Sequence, residues 1–324
     1  MSYRVILLDP HQHALSDELV ALLNEAGAEY EARQCATDEE LTAFCLDADA
    51  IMTSNAQVGR ATIEKLQHCR IIARLGIGYD NVDHIAAGEF GIPVTNVPGF
   101  CSQEVATHAI ALMLACDRKL LFLDQEMRRG NWRQFDLCET ATRLNDCVFG
   151  CVGFGTIGQA TAQRAAAFGL TIAYFDPFLK NPPENLSATR FDQLEHLLQE
   201  SDIVSLHVPL IDETKHLISM PQFQLMKNSA TLINTSRGGI IQQEHLIEAL
   251  RCGQIAAAGL DVFDPEPPPP DCPLFELDNV ILSPHTSGHT RHSMQELRRR
   301  VVEEVVRALQ EKPLQHVVNL ANLS

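Results

Sequence analysis

The sequence predicts an α/β protein with two doubly wound parallel sheets, the second inserted into the first. Three observations predict it. Over residues 1–100 short apolar runs alternate with amphipathic stretches, as parallel βαβ units require. A glycine-rich strand-to-helix turn, "GCVGFGTIGQ", comes at residues 150–159, almost halfway along, and opens a second alternation of the same kind. A last amphipathic helix, from about Thr290 to Lys312, follows once that alternation has closed, and its simplest home is back on the first domain. A chain of 324 residues is long for one typical domain and suits two.

The first alternation reads "RVILLD", "LSDELVALLNEAG", "AIMT", "ATIEKLQHC", "IIARLG" and "IPVTNV", and it holds no phosphate loop. From Ser102 to about Arg129 the pattern is one long helix, apolar over most of its circumference and ended by "GN", so it must bury several faces and would join domains or subunits. The polar, irregular segment "DLCETATRLND" at 136–146 leads into the second alternation, which runs from "CVFGCVGFG" through "TIAYFDP", "DIVSLHVP", "ATLINTSRGG" and "IAAAGLDV" to "NVILSPH".

Bulk composition narrows the function classes. Hydrophobic residues at 45% and charged residues at 21% are ordinary for a soluble enzyme, and no stretch approaches the roughly 20 apolar residues of a membrane span. The N-terminus lacks the three regions of a signal peptide, which predicts a cytoplasmic protein. The ten cysteines form no CxxC pair, so reduced, buried thiols are expected, with Cys147 and Cys151 on one face of a strand. His11 with His13 and His289 with His292 lack further ligands, and no metal is expected. A net charge of −17 argues against nucleic acid, and the "ELRRR" cluster reads as a self-paired helix face. The same negative field means that a site for an anion must carry local positive groups.

A GxGxxG alone is weak, because tight packing of a helix on a strand also needs glycines. Here Gly153, Gly155 and Gly158 follow a strand and open a helix whose N-terminus would present free N–H groups to a pyrophosphate, the arrangement of a Rossmann-like domain. Asp176 ends the next strand, where a carboxylate can accept from both ribose hydroxyls and would repel a 2′-phosphate, so NAD is favoured over NADP; the alternative is that Asp176 merely caps a turn. Ligands of open parallel sheets gather beyond the carboxyl ends of the strands. The residues there are His207, Thr235, Ser236, Arg237, Asp261, Glu266 and His285. Arg, Glu and His suit hydride exchange between NAD(H) and a 2-hydroxy or 2-oxo acid. Arginine forks onto the carboxylate, histidine exchanges a proton with the oxygen on C2, and a carboxylate beside the histidine orients it and favours its charged form. The "GG" after Arg237 predicts close approach of backbone to a ligand, and the prolines of "DPEPPPP" predict a stiff loop that fixes Glu266. In the first domain Gly76 and Gly78 follow the strand "IIAR", and their N–H groups could hold a substrate carboxylate across a cleft.

The segments "ARLGIGYDNVD", "NVPGFCSQEVATHAIALMLA", "VGFGTIGQ", "AYFDP", "SDIVSLHVPLIDETKHLI", "MKNSATLINTSRGGII", "GLDVFDPEPP" and "NVILSPHTSG" run in family order over nearly the whole chain. With them the sequence resembles the D-2-hydroxyacid dehydrogenases, closest to the branch of C-terminal-binding-protein-like dehydrogenases. The resemblance implies a discontinuous substrate domain at 1–100 and 287–324, an inserted NAD-binding domain at 101–286, and a homodimer built through the cofactor domains. It implies Arg237, Glu266 and His285 as the catalytic residues, with Gly76, Ile77, Gly78 and Arg237 on the substrate carboxylate. Around NAD it implies Gly153, Phe154, Gly155, Thr156, Ile157, Gly158, Asp176, His207, Val208, Pro209, Thr235, Ser236, Asp261, His285 and Gly288.

The chain departs from the pattern at two positions. Many relatives have Glu where Thr107 stands, and the corepressor branch carries Trp where this chain has Gly288. The chain also stops soon after its last helix, which is short for the regulatory domain of some phosphoglycerate dehydrogenases. The expected reaction is reduction of a small oxo acid such as glyoxylate, hydroxypyruvate or pyruvate. An NAD(H)-sensing corepressor-like role and oxidation of a small inorganic or one-carbon anion are the alternatives.

Overall fold

The computed structural model of the protein describes residues 2–135 and 141–323. It comprises two compact units, Met1–Phe100 with Thr290–Ser324, and Cys101–His289. In the first, β1 (Tyr3–Leu7), β2 (Ala28–Ala32), β3 (Ala50–Thr53), β4 (Ile71–Arg74) and β5 (Val94–Thr95) pair in parallel in the order β2-β1-β3-β4-β5. Because side chains alternate along a strand, Val5 and Leu7 enter one core while Ile6 and Leu8 enter the other. Both faces are covered, which is why these strands read as continuous apolar runs. One cover is the helix Arg291–Leu309, whose Leu297, Val301, Val302 and Val305 pack with Val5, Leu7 and Met52. Its "ELRRR" face is self-paired at Arg299–Glu303 and Arg300–Glu296. After this helix the chain returns to the sheet edge, where buried Asn319 accepts from Val94 N and donates to the carbonyls of His84 and Ile92.

The second unit holds β6 (Val148–Val152), β7 (Thr171–Phe175), β8 (Thr189–Arg190), β9 (Ile203–Leu206), β10 (Thr231–Asn234), β11 (Ala257–Leu260) and β12 (Val280–Leu282). They form one parallel sheet in the order β12-β11-β10-β9-β6-β7-β8. Within this unit the chain starts at β6, winds outward to β7 and β8 and then crosses to β9, so the order reverses between β6 and β9, the crevice where such sheets bind ligands. Cys147 and Cys151 share one of the two cores.

The expected single helix from Ser102 to Arg129 is two helices, Ser102–Asp117 and Leu120–Arg128. Arg118 N and Lys119 N bond back to the carbonyls of Leu114 and Cys116, and Lys119 takes a left-handed φ of 48°, which redirects the chain. The first helix buries Val105, Ala109, Leu112 and Met113, while the second leaves Leu120, Leu121 and Met127 about half exposed. Of the polar segment 136–146, residues 136–140 lie outside the described residues. Among the described residues no helix is long and apolar enough to cross a membrane, and no group of three or more His, Cys, Asp or Glu could hold a metal ion.

Candidate active site

The turn after β6 separates the demands on its glycines. Gly153 has φ 86°, and a Cβ there would lie 2.7 Å from His207 O and 2.9 Å from Val208 Cγ1. A Cβ on Gly158 would lie 2.5 Å from Gly153 O. Protein packing therefore requires both. At Gly155, with an ordinary φ of −70°, a Cβ would meet nothing within 4 Å. The open face lies beside the start of the helix Thr156–Ala167, where Thr156 and Ile157 contribute its first N–H groups, so a pyrophosphate fits there. Phe154 anchors the turn from below, its buried ring stacked on Tyr174 at 4.2 Å. Its N–H donates to Asp176 Oδ2 at 2.8 Å, and Asp176 Oδ1 accepts from Phe178 N and Leu179 N at 2.8 and 3.0 Å. Asp176 does cap a turn, and the same bonds hold its carboxylate against the glycine loop.

β9 and β10 are in register at Leu206 and Asn234, so His207 and Thr235 emerge side by side at the sheet's carboxyl edge. His207 Nε2 hydrogen-bonds Ser205 Oγ at 2.9 Å, and burial pushes its pKa from the usual 6.5 down to about 4. Among the described residues His207 Nδ1 and Thr235 Oγ1 are buried without a hydrogen-bond partner, as polar groups awaiting a polar ligand are. Ser236 instead donates its hydroxyl to Leu206 O at 2.7 Å, and exposed Pro209 accepts from Thr214 Oγ1 at 2.5 Å.

Arg237 lies just beyond this edge, with its carbonyl held by Asn234 Nδ2 at 2.9 Å and its Nη1 donating to Ser236 O at 2.8 Å. The first glycine after it is required by the protein's own backbone. A Cβ on Gly238 would lie 2.0 Å from both C and O of Phe263, so the crowding is with the protein's own chain. The arginine loop is thereby pressed onto the loop that carries Glu266. Glu266 Oε1 accepts from Phe263 N at 2.8 Å, and its Oε2 lies 2.7 Å from His285 Nδ1. An ionised carboxylate only accepts, so the proton of that bond sits on Nδ1. Nε2 is then the nitrogen left to exchange a proton with a ligand. Both side chains remain partly exposed, at 41% for His285 and 34% for Glu266.

Asp261, fully buried after β11, is bound to the loop of His285. Its Oδ1 accepts from Ser283 Oγ at 2.6 Å and Thr286 N at 2.9 Å, and its Oδ2 from Ser287 N at 2.8 Å. Gly288 ends that loop, where a Cβ would lie 3.0 Å from Cys101 Sγ, so a large residue cannot sit there without displacing the helix start. Two members of this network, His108 and Ser283, whose Nε2 and Oγ lie 2.8 Å apart, are not evident from sequence. A histidine inside a buried helix face reads as packing; the available signal was that Ser283 sits two residues before His285.

In the first unit, the loop after β4 closes through Gly76, with φ 154° and the Arg74 guanidinium laid where a Cβ would be. The carbonyls of Gly76 and Ile77 accept from Val97 N at 2.9 Å and Asn96 Nδ2 at 2.7 Å. Gly78 follows directly on these anchored residues.

Comparison with known proteins identifies the family. The sequence profile of the D-isomer specific 2-hydroxyacid dehydrogenase NAD binding domain matches residues 110–287, the part that carries the glycine turn and the Arg237, Glu266 and His285 loops, so a nicotinamide cofactor belongs to this unit. The chain is 37% identical over 324 residues to a D-3-phosphoglycerate dehydrogenase of Methanocaldococcus jannaschii, covering 99% of this chain but 60% of that longer protein. It is 37% identical over 311 residues to a hydroxypyruvate reductase of Thermotoga maritima, covering 95% of this chain and 98% of the relative. A crystal structure of a glyoxylate reductase from Paecilomyes thermophila superposes with a TM-score of 0.87 at 28% identity, covering 98% of each chain. With the profile and a full-length relative in agreement, the chain belongs to the D-isomer specific 2-hydroxyacid dehydrogenase family.

Proposed function

We propose that the protein is an NAD-dependent oxidoreductase that interconverts a small D-2-hydroxy acid and its 2-oxo acid, with glyoxylate, hydroxypyruvate and pyruvate as the substrates to test. The observation that carries this reading is the Glu266–His285 pair at 2.7 Å, held on a loop against which the Arg237 loop is packed. Glycine-turn N–H groups, Asp176, His207 and Thr235 would hold the dinucleotide, which when bound supplies or accepts the hydride. Arg237 binds the substrate carboxylate with its planar fork, and in the first unit the N–H groups of Ile77 and Gly78 form an anion nest of their own. His285 Nε2 gives its proton to the carbonyl oxygen on C2 as the alcohol forms and takes it back in the reverse direction. Glu266 keeps the ring in that orientation and offsets the charge of the imidazolium. Asp176 favours NAD over NADP, because its carboxylate would face a 2′-phosphate. Leu120, Leu121, Met127, Trp132 and Phe135, all about half or more exposed within one short stretch, are covered by a second copy of the chain in a homodimer.

The test is NADH consumption against a panel of 2-oxo acids, with NADPH and His285→Ala in parallel. Turnover of at least one acid is expected with NADH preferred, and His285→Ala should lose roughly 10²- to 10⁴-fold in kcat. Asp176→Asn should narrow the preference for NADH. Turnover that survives in His285→Ala would sink the proton-donor assignment, and NADH binding without turnover of any acid would sink the dehydrogenase reading.

A further inference from the structure

We propose that His108 is a positioning residue for His285, acting through Ser283 and Asp261; this rests on the reading of His285 as proton donor. His285 has φ 52°, a left-handed conformation that residues with side chains rarely adopt, so its surroundings must hold it. Asp261 does so from both sides: its carbonyl accepts from His285 N at 2.7 Å, while its carboxylate accepts from Thr286 N and Ser287 N.

The polarity of the network then follows from donor chemistry. The Asp261 carboxylate accepts only, so the Ser283 hydroxyl, 2.6 Å from Oδ1, donates its one proton there. Ser283 Oγ therefore accepts in its bond with His108 Nε2, which places a proton on that nitrogen. The relay runs from His108 to Ser283 to Asp261, and His108 Nε2 itself lies 3.6 Å from Asp261 Oδ1. Removing its first member leaves the buried carboxylate with a weakened partner.

The helix that carries His108 is built for this contact. Cys101, Val105, His108, Leu112 and Cys116 recur at helical spacing and share one face. Beyond the contact of Cys101 with Gly288, a Cβ on Gly259 of β11 would lie 2.9 Å from Leu112 Cβ and 3.6 Å from Cys116 Sγ. The stripe thus runs from the end of the His285 loop down to the strand that delivers Asp261. His108 is the member that reaches the carboxylate network, midway between the two packed ends.

The test compares His108→Leu, which keeps much of the volume and removes the donor, with His108→Gln, which retains an N–H donor. With an acid the wild type turns over, His108→Leu should lower kcat about tenfold with the NADH dissociation constant changed less than about twofold, and His108→Gln should recover most of the loss. Hydrogen exchange at the amides of residues 285–287 should accelerate in His108→Leu and return towards wild type in His108→Gln. Wild-type kcat and exchange in His108→Leu would overturn the proposal, as would equal impairment of both variants with equal loss of melting temperature, the mark of packing alone. If the wild type turns over no acid, the dehydrogenase reading fails by itself, and the exchange measurement still decides whether His108 holds the loop.

Discussion

Gly153, Gly155 and Gly158 stand in one turn yet answer to different partners, two to the protein's own backbone and one to open space. Gly155→Ala should therefore leave the melting temperature unchanged while weakening NADH binding, whereas Gly153→Ala should destabilise by about 1–3 kcal/mol, since it adds left-handed strain and a clash with His207 O. Thermal melts and NADH titrations of both variants check this, and the opposite pattern would move the dinucleotide away from the open face. His207 makes a second residue-scale prediction. Unfolded, it takes up a proton near 6.5; folded, only near 4. Its contribution to stability is thus complete above pH 6.5 and is lost as pH falls towards 4, because in that window the unfolded state binds more protons. His207→Gln should flatten the fall in melting temperature over that range, and identical slopes in the two proteins would contradict the lowered pKa of His207. The candidate site residues are legible at this scale because glycine, carboxylate and imidazole at strand ends announce their chemistry. The partner of Gly238 is not, because a glycine does not say whether ligand or protein crowds it.

At the scale of elements, the strands were legible as apolar runs because both faces of each sheet are covered. The break at Lys119 was hidden, since "RKLLF" has neither glycine nor proline and continues a helical pattern on both sides. The closing helix shows how an element far along the chain completes an early one. Val5, Leu7, Met52 and Ala73 have Leu297, Val301, Val302 and Val305 as neighbours, so residues 1–100 alone would leave one face of their sheet in water. Such a fragment should show no cooperative melt, and in the full chain Leu297→Ala should cost about 2–5 kcal/mol. A sharp transition in the isolated fragment, by calorimetry, would show that the helix is dispensable.

For the whole molecule, the exposed apolar residues between Leu120 and Phe135 carry the proposed homodimer. Sedimentation should give a dimer at micromolar concentration, and Trp132→Ala should raise its dissociation constant roughly tenfold or more if this 74%-exposed ring is an anchor. A monomer in the wild type would leave these side chains without a proposed partner. The sequence by itself determined the class of fold, the two alternations and the residue types at the strand ends. Each of these is a local pattern of periodicity, turn chemistry or spacing. Only the tertiary structure decided that Gly238 packs on Phe263, that Asp261 grips the loop of His285, and that His108 stands behind Ser283. Those contacts join residues far apart in the chain, and no local pattern encodes which distant atoms will fill the space beside them.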